Sequence, residues 1–245
     1  TTRILTSDLR HVPIKDIEPG QQVVSVDESP VDSQPRKMRT ATVVDKIVKH
    51  LPAYRITFGD GRSVVCSGNH RWLTQKAGTD WNWRSIEHDG SCRKPATIEE
   101  GTKVRSVIQP WTSHLTYEDG WMGGLFDGEG SGLNPRARLE ISQCTGDVLD
   151  RVWEYTHQNG YSPRTEADCR KPGTSSKLGH NIVYKCMFNR MDDIMRLVGT
   201  TRPNRFLNIP FWEGKSMPNF NASATVESIE YIGEQELVDL QTTSG

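Results

Sequence analysis

Trp121-Met-Gly-Gly-Leu-Phe-Asp-Gly-Glu-Gly130 is the stretch from which the fold is read. Gly123 and Gly124 sit side by side in a run that is otherwise apolar and compatible with a helix. Each glycine costs about 1 kcal/mol relative to alanine in a helix interior. A helix accepts that cost where its backbone approaches another helix closely, because no Cβ stands in the way. The run ends in two carboxylates, Asp127 and Glu129, with Gly128 between them and Gly130 behind. Acidic side chains at the end of a tightly packed helix can offer oxygen ligands to a hard cation. The same residues also read as a buried helix with a glycine C-cap, and spacing alone does not choose between the two.

Met122 to Gly130 resembles the LAGLIDADG motif of homing endonucleases at all nine places, with conservative exchanges. The resemblance implies two such helices packed through their small residues. Here that face would comprise Met122, Gly123, Gly124, Leu125, Phe126 and Asp127, with Asp127 at the helix end. It also implies that Glu129 is the ligand of a divalent metal, Mg2+, that cuts DNA.

Length and composition set the frame. The chain has 245 residues, enough for one large domain or two small ones. Charged residues make up 25% and hydrophobics 34%, which marks a globular chain rather than a disordered one. No apolar run approaches the roughly 20 residues that span a bilayer, so no membrane partner is expected. No signal peptide is expected either. Cys66, Cys92, Cys144, Cys169 and Cys186 are scattered, odd in number and without CxxC spacing. That points away from a disulfide scaffold or zinc site and toward a reducing, cytoplasmic compartment. The net charge is −1. Between Tyr161 and Arg190, however, six cations (Arg164, Arg170, Lys171, Lys177, Lys185, Arg190) face two anions, Glu166 and Asp168. A solvated surface explains such a cluster, and so does a local phosphate-binding face.

The chain changes character near residues 112 and 212. Up to Pro110 it reads as short strands at Arg3–Thr6, His11–Ile14, Gln22–Val26, Thr42–Val48 and Tyr54–Phe58, with Gly59-Asp-Gly61 turning into Ser63–Cys66. Ser29–Thr40 and Gln75–Pro95 read as polar surface loops. From Tyr117 to about Thr200 the pattern is a helix over 117–129, a hairpin ending in Arg136–Gln143, and a helix over Asp147–Gln158. A second hairpin follows, with arms near Ser162–Ala167 and Asn181–Phe188 and the loop Arg170 to Gly179 between them. A helix from Met191 to Val198 then stops at Gly199. The order is αββαββα, present once. After Pro210, Ala224–Tyr231 and Glu236–Thr242 read as strands joined by a turn at Gly233.

The outer thirds resemble the halves of an intein, the hedgehog/intein (Hint) fold. Three stretches carry this: Thr2-Arg-Ile-Leu-Thr6 with Val12 to Gly20, Ser67-Gly-Asn-His70, and Leu237-Val-Asp-Leu240. The implied fold is a mostly β Hint-type splicing domain in two parts, 1–111 and 213–245. An α+β LAGLIDADG domain of αββαββα order, 112–212, interrupts it. Splicing needs a side chain that strains or protonates the scissile amide, a task suited to histidine. The resemblance gives that task to His70, helped by Ser67, with Asp239 tuning the nucleophile or the branched intermediate. Cysteine or serine stands first in that family and a His-Asn pair last. This sequence opens Thr1-Thr2 and closes Thr243-Ser-Gly245, and as written it is expected not to splice. A bacterial, archaeal or phage source fits the family.

A single motif implies a symmetric homodimer on a palindromic or near-palindromic double-stranded DNA site. Each sheet would lie in the major groove, where all four base pairs are distinguishable. Polar residues spaced by two fit that role: Arg136, Arg138 and Glu140, then Arg164, Glu166 and Asp168, with Lys185 on a further strand. They fit the exposed face of any antiparallel sheet equally. The family also places a polar residue at the end of the second strand, here Gln143, and a basic residue after the third helix. Arg202 is the first choice for the latter and Arg205 the second. The leading expectation is a metal-dependent DNA endonuclease embedded in an intein. The alternative is a self-processing module whose insert binds DNA without cutting it. A DNA-binding regulator is a third reading, and the retained Glu129 speaks against it.

Overall fold

A computed structural model describes all residues except 1, 30–34, 77–79, 88–96, 107, 109, 113, 134–137, 169–181, 217–222 and 245. From the N-terminus come β1 (Arg3–Leu5), β2 (His11–Pro13), β3 (Gln22–Val26), β4 (Met38–Phe58), β5 (Ser63–Ser67), β6 (Trp72–Gln75), β7 (Asn82–Arg84) and β8 (Lys103–Arg105). The middle of the chain forms α1 (Tyr117–Glu129), β9 (Gly130–Gly132), β10 (Leu139–Cys144), α2 (Asp147–Gln158), β11 (Arg164–Asp168), β12 (Val183–Phe188), α3 (Met191–Thr201) and α4 (Asn204–Leu207). The last strand is β13 (Ser223–Thr242). The chain divides into two compact units. Unit 1 is Thr1–Thr6, Arg10–Pro110 and Lys215–Gly245, and unit 2 is Ser7–Leu9 with Trp111–Gly214.

In unit 1 a seven-stranded sheet runs β3-β4-β13-β8-β6-β7, with β5 paired to β4, and β1 and β2 form a separate pair. Apolar side chains of these strands, with Ile17 and Ile98 from the connections between them, close two cores. Ile56, Phe58, Ile98, Val104 and Val226 build one, and Ile17, Val23, Ala41 and Val43 the other. The strands expected separately at 42–48 and 54–58 are one 21-residue strand, β4. Those expected at 224–231 and 236–242 are one 20-residue strand, β13. The two pair antiparallel from Val226↔Phe58 to Thr242↔Val43. Pro52, which lacks an N–H to give the ladder, lies opposite Glu234 at a register shift, where sheets tolerate proline. The same irregularity, between Tyr231 and Glu234, absorbs Gly233, so no turn forms there. Part of the expected 75–95 loop is strand, because Asn82–Arg84 pairs with Trp72–Thr74. Met38 to Thr40, read as loop, pairs with Val24–Val26.

In unit 2 the four-stranded sheet runs β11-β12-β10-β9. Thr116 and Asp119 open α1 as a reciprocal capping box: the Asp119 N–H donates to Thr116 Oγ1 at 3.2 Å, and the Thr116 N–H to Asp119 Oδ2 at 2.9 Å. Met122 and Phe126 of α1 are fully buried, and Phe126 meets Phe188 of β12 edge-on at 6.2 Å. A Cβ on Gly123 would stand 2.1 Å from the Thr201 carbonyl oxygen, so α1 and α3 touch backbone to backbone there. Gly199 does not end α3. Its bare Cα admits the Leu9 carbonyl, and the helix continues to Thr201. Arg202, in the left-handed region at φ 56°, caps it, and Pro203 follows.

The expected fold class is corrected. About 46% of the described residues are strand and 22% helix, in three sheets and four helices, so the described structure is mostly β. This content does not carry the specific assignment of an α+β LAGLIDADG insert within a Hint domain. Two very long strands raise the β share, and α4 adds a helix after the seventh expected element. Ser7–Leu9, expected in the first part, belongs to unit 2.

Candidate functional site

The end of α1 is an interlock of two helix termini. The Asp127 carboxylate accepts the N–H groups of Asn204 at 3.0 Å and Arg205 at 2.9 Å, filling the donors at the start of α4. In return Arg205 Nη1 donates to the carbonyls of Asp127 at 3.1 Å and Gly130 at 3.0 Å, at the C-terminal end of α1. A cation belongs there, where the helix dipole leaves partial negative charge. Glu129 lies between those two carbonyls in sequence. It is exposed, and it makes no hydrogen bond or ion pair among the described residues. Arg205 is thus held by backbone carbonyls on either side of Glu129 in the sequence.

Arg202 has a different task. Its guanidinium donates to the Asp8 carbonyl and, at 3.0 Å, to Asp8 Oδ2. It ties Ser7–Leu9 to the end of α3. Sequence offered no signal for Asp8, nearly two hundred positions away.

The expected dimer face is also redistributed. Met122 and Phe126 are fully buried, and Gly123 presses on Thr201. All three point into their own unit and are inaccessible to a partner. Asp127 is half-buried and engaged with α4. Leu125 is half-buried and Gly124 exposed. Gly120, Gly124 and Gly128, spaced one turn apart, have open space where a Cβ would stand.

The register of the unit 2 sheet gathers the expected DNA-facing residues. Glu140 stands opposite Met187, Ser142 opposite Lys185, Arg164 opposite Met187 and Glu166 opposite Lys185. Opposed residues share a face, and so do residues two apart. Arg138, Glu140, Lys185, Arg164, Glu166 and the Asp168 position therefore lie on one face. Leu139, Ile141 and Phe188 lie on the other, in the core. Arg138 pairs with Glu140, Arg164 pairs with Glu166 at 2.7 Å, and Ser131 donates to Glu140 at 3.2 Å. Gln143, opposite Tyr184, falls on the core side of β10 and is half-buried. Arg136 and the cluster members Arg170, Lys171 and Lys177 lie outside the described residues.

In unit 1, Ser67-Gly-Asn-His70 forms a turn after β5. The Ser67 hydroxyl donates to Asn69 Oδ1 at 2.7 Å, and the His70 N–H to the Ser67 carbonyl at 3.2 Å. Ser67 orders the turn, and its hydroxyl is committed to Asn69. The His70 ring meets Trp72 edge-on at 4.9 Å. His70 is exposed at its rim, yet enough protein surrounds the imidazole for desolvation to lower its pKa. The charge of Asp239, on β13, acts on His70 in the opposite sense. Asp239 also accepts the Leu240 N–H at 3.0 Å. Glu87 carries no motif and gave no signal in the sequence. It accepts the Tyr54 hydroxyl at 2.7 Å and lies where any Cβ on Gly68 would fall. Thr1 and Gly245, expected near His70, lie outside the described residues.

Among the described residues no group of three or more His, Cys, Asp or Glu converges on one point. Cys66, Cys144 and Cys186 are free thiols. No helix is long and apolar enough to cross a membrane among the described residues. Comparison with known proteins finds no family model and no curated protein that matches the sequence.

Proposed function

We propose that the protein is a metal-dependent, site-specific endonuclease of double-stranded DNA, embedded in an intein. The observation that carries this reading is the exposed Glu129, without a hydrogen bond or ion pair among the described residues, at the end of the helix where Arg205 is anchored on the Asp127 and Gly130 carbonyls. Glu129 offers a hard oxygen ligand suited to Mg2+. When bound, such an ion activates water and shields the charge developing on a phosphodiester. Arg205 Nη2 and Nε, with no hydrogen-bond partner among the described residues, would meet a phosphate oxygen as a planar fork. The polar sheet face of Arg138, Glu140, Arg164, Glu166 and Lys185 would read base edges in the major groove. One chain supplies one Glu129, so cutting both strands calls for a homodimer and a near-palindromic site. The open face of Gly120, Gly124 and Gly128 is where a second copy would approach.

For splicing, His70 would serve as the acid or base at the scissile amide, with Asp239 adjusting its charge. In a precursor with both junctions intact, His70→Ala should suppress splicing. Undiminished splicing would remove that role.

The deciding experiment incubates the wild type and Glu129→Gln with Mg2+ and DNA that joins the two flanking coding sequences of the host gene. The variant should bind within several-fold of the wild type and leave the DNA uncut. Robust Mg2+-dependent cutting by Glu129→Gln would end the assignment.

A further inference from the structure

The polar sheet face of unit 2 carries the same two-residue device on two strands. On β10, Arg138 pairs with Glu140, and on β11, Arg164 pairs with Glu166 at 2.7 Å. In each the arginine comes first and the carboxylate two positions later. Residues two apart on a strand share a face about 7 Å apart, within reach of such long side chains. Met187 of β12 is the register partner of both Glu140 and Arg164, so the carboxylate of one pair is level with the arginine of the other. Glu140 is held firmly: Ser131, its register partner on β9, donates to Oε1 at 3.2 Å while Arg138 takes Oε2. The second pair is looser, with 70% of the Arg164 side chain and 46% of that of Glu166 exposed.

Ion pairs this exposed add little to stability. Their effect on a DNA-binding face is larger. Each carboxylate occupies the guanidinium that a phosphate would otherwise take, and its own charge repels the phosphate. Sequence-independent binding, which is almost wholly phosphate contact, is thereby weakened. A base edge is different. In the major groove guanine offers O6 and N7 to an arginine, and its partner cytosine offers an N4 amino group that a glutamate accepts. A G·C base pair therefore satisfies both members of an Arg-x-Glu pair, whereas a phosphate satisfies one and repels the other.

We propose that Glu140 and Glu166 are specificity-determining residues, each screening its arginine from phosphate and releasing it on a G·C base pair, where the arginine takes guanine and the glutamate takes cytosine. This rests on the reading that the sheet face of unit 2 binds DNA. Selectivity of this kind comes from penalising the wrong contact as well as rewarding the right one.

The test selects bound duplexes from a random-sequence pool, in EDTA so that no strand is cut, and measures affinity for a labelled random duplex in parallel. Wild-type selection should enrich G·C at a position for each pair. Glu140→Gln should move the cytosine preference at one position to adenine, because a glutamine amide fits adenine N6 and N7, and Glu166→Gln should do so at another. The double variant should bind the random duplex more tightly than wild type at about 50 mM salt. It should lose about tenfold of that advantage by about 200 mM, roughly 0.9 in slope for each phosphate newly contacted. Asp150→Asn/Glu154→Gln removes equal charge from α2, and should leave the selected sequence unchanged and move the slope far less. A wild-type sequence and slope in the double variant, or an equal change in the control, overturns the role of Glu140 and Glu166 while leaving DNA binding in place. So does a wild type that binds duplex but enriches no sequence. A wild type that binds no duplex removes the DNA reading, and this proposal with it. Should Glu140→Gln fail to fold by circular dichroism, Glu166→Gln decides alone, and an unchanged base preference and affinity refute the proposal.

Discussion

Gly123→Ala is the sharpest test of how α1 packs. The new methyl would lie 2.1 Å from the Thr201 carbonyl oxygen and 3.1 Å from its carbon. Both are backbone atoms, so no rotamer change relieves the clash, and α1 and α3 must separate. Overpacking of this kind costs about 3 kcal/mol, at the upper end of the usual range. Alanine returns about 1 kcal/mol of helix propensity, leaving a net loss of about 2 kcal/mol. In a unit of this size that is a fall of about 10 °C in Tm. Gly124→Ala is the matched control, one residue on, with nothing within 4 Å of its Cβ position. It should stabilise the isolated chain by about 0.5–1 kcal/mol. Urea unfolding followed by far-UV circular dichroism, at protein concentrations low enough to keep single chains, reads both. If Gly123→Ala is as stable as Gly124→Ala, the close approach of α1 and α3 is wrong.

Three further outcomes are expected. Asp127→Ala leaves the first N–H groups of α4 uncapped and should cost about 1 kcal/mol, with cleavage falling further than stability because Arg205 loses its frame; a loss of stability alone, with cleavage intact, counts against Arg205 as the basic residue. Arg205→Ala should abolish cutting at temperatures where the protein stays folded, whereas Arg202→Ala should chiefly lower the melting point, since its partner is Asp8; parallel melting and nicking measurements separate the two. His70 and His11 both have pKa values below 6.5 through burial, so the unfolded chain binds protons more readily than the native one. Stability should therefore fall as pH drops below 6.5 toward the lowered values and be flat above. His11→Gln/His70→Gln should flatten that slope, and an unchanged acid limb would show that other groups set it.

The sequence was most legible where local signals agree. The boundaries of α1 and α2 coincide with those read from pattern; in the structure Thr116 caps the start of α1 and Asn159 the end of α2. The shared face of Arg138, Glu140, Arg164 and Glu166 was visible as a period of two, although only the register shows the strands aligned. Direction around a helix leaves little local signal. Met122, Gly123 and Phe126 turn inward while Gly120, Gly124 and Gly128 turn outward, a split that follows from 3.6 residues per turn once the core side is known. Long-range partners left no local trace. Asp8 of Arg202 and Glu28 of Arg36, Arg71 and Trp83 are set by tertiary approach alone. The two long strands were divided because Pro52 and Gly233 ordinarily punctuate a chain, and a bulge accommodates both.

The pairing of β4 with β13 has a consequence for biosynthesis. Phe58 and Val226 are register partners although about 170 positions separate them, so loop closure alone costs about 4.5 kcal/mol beyond a constant. On the ribosome, β4 emerges long before its main neighbour exists and must wait with one edge open. All of unit 2 precedes β13 in the sequence and forms a compact unit of its own. The middle of the chain can therefore fold first, which shortens the effective loop. The β4–β13 ladder then zips only once β13 leaves the exit tunnel, so that pairing comes after all of unit 2 has been made.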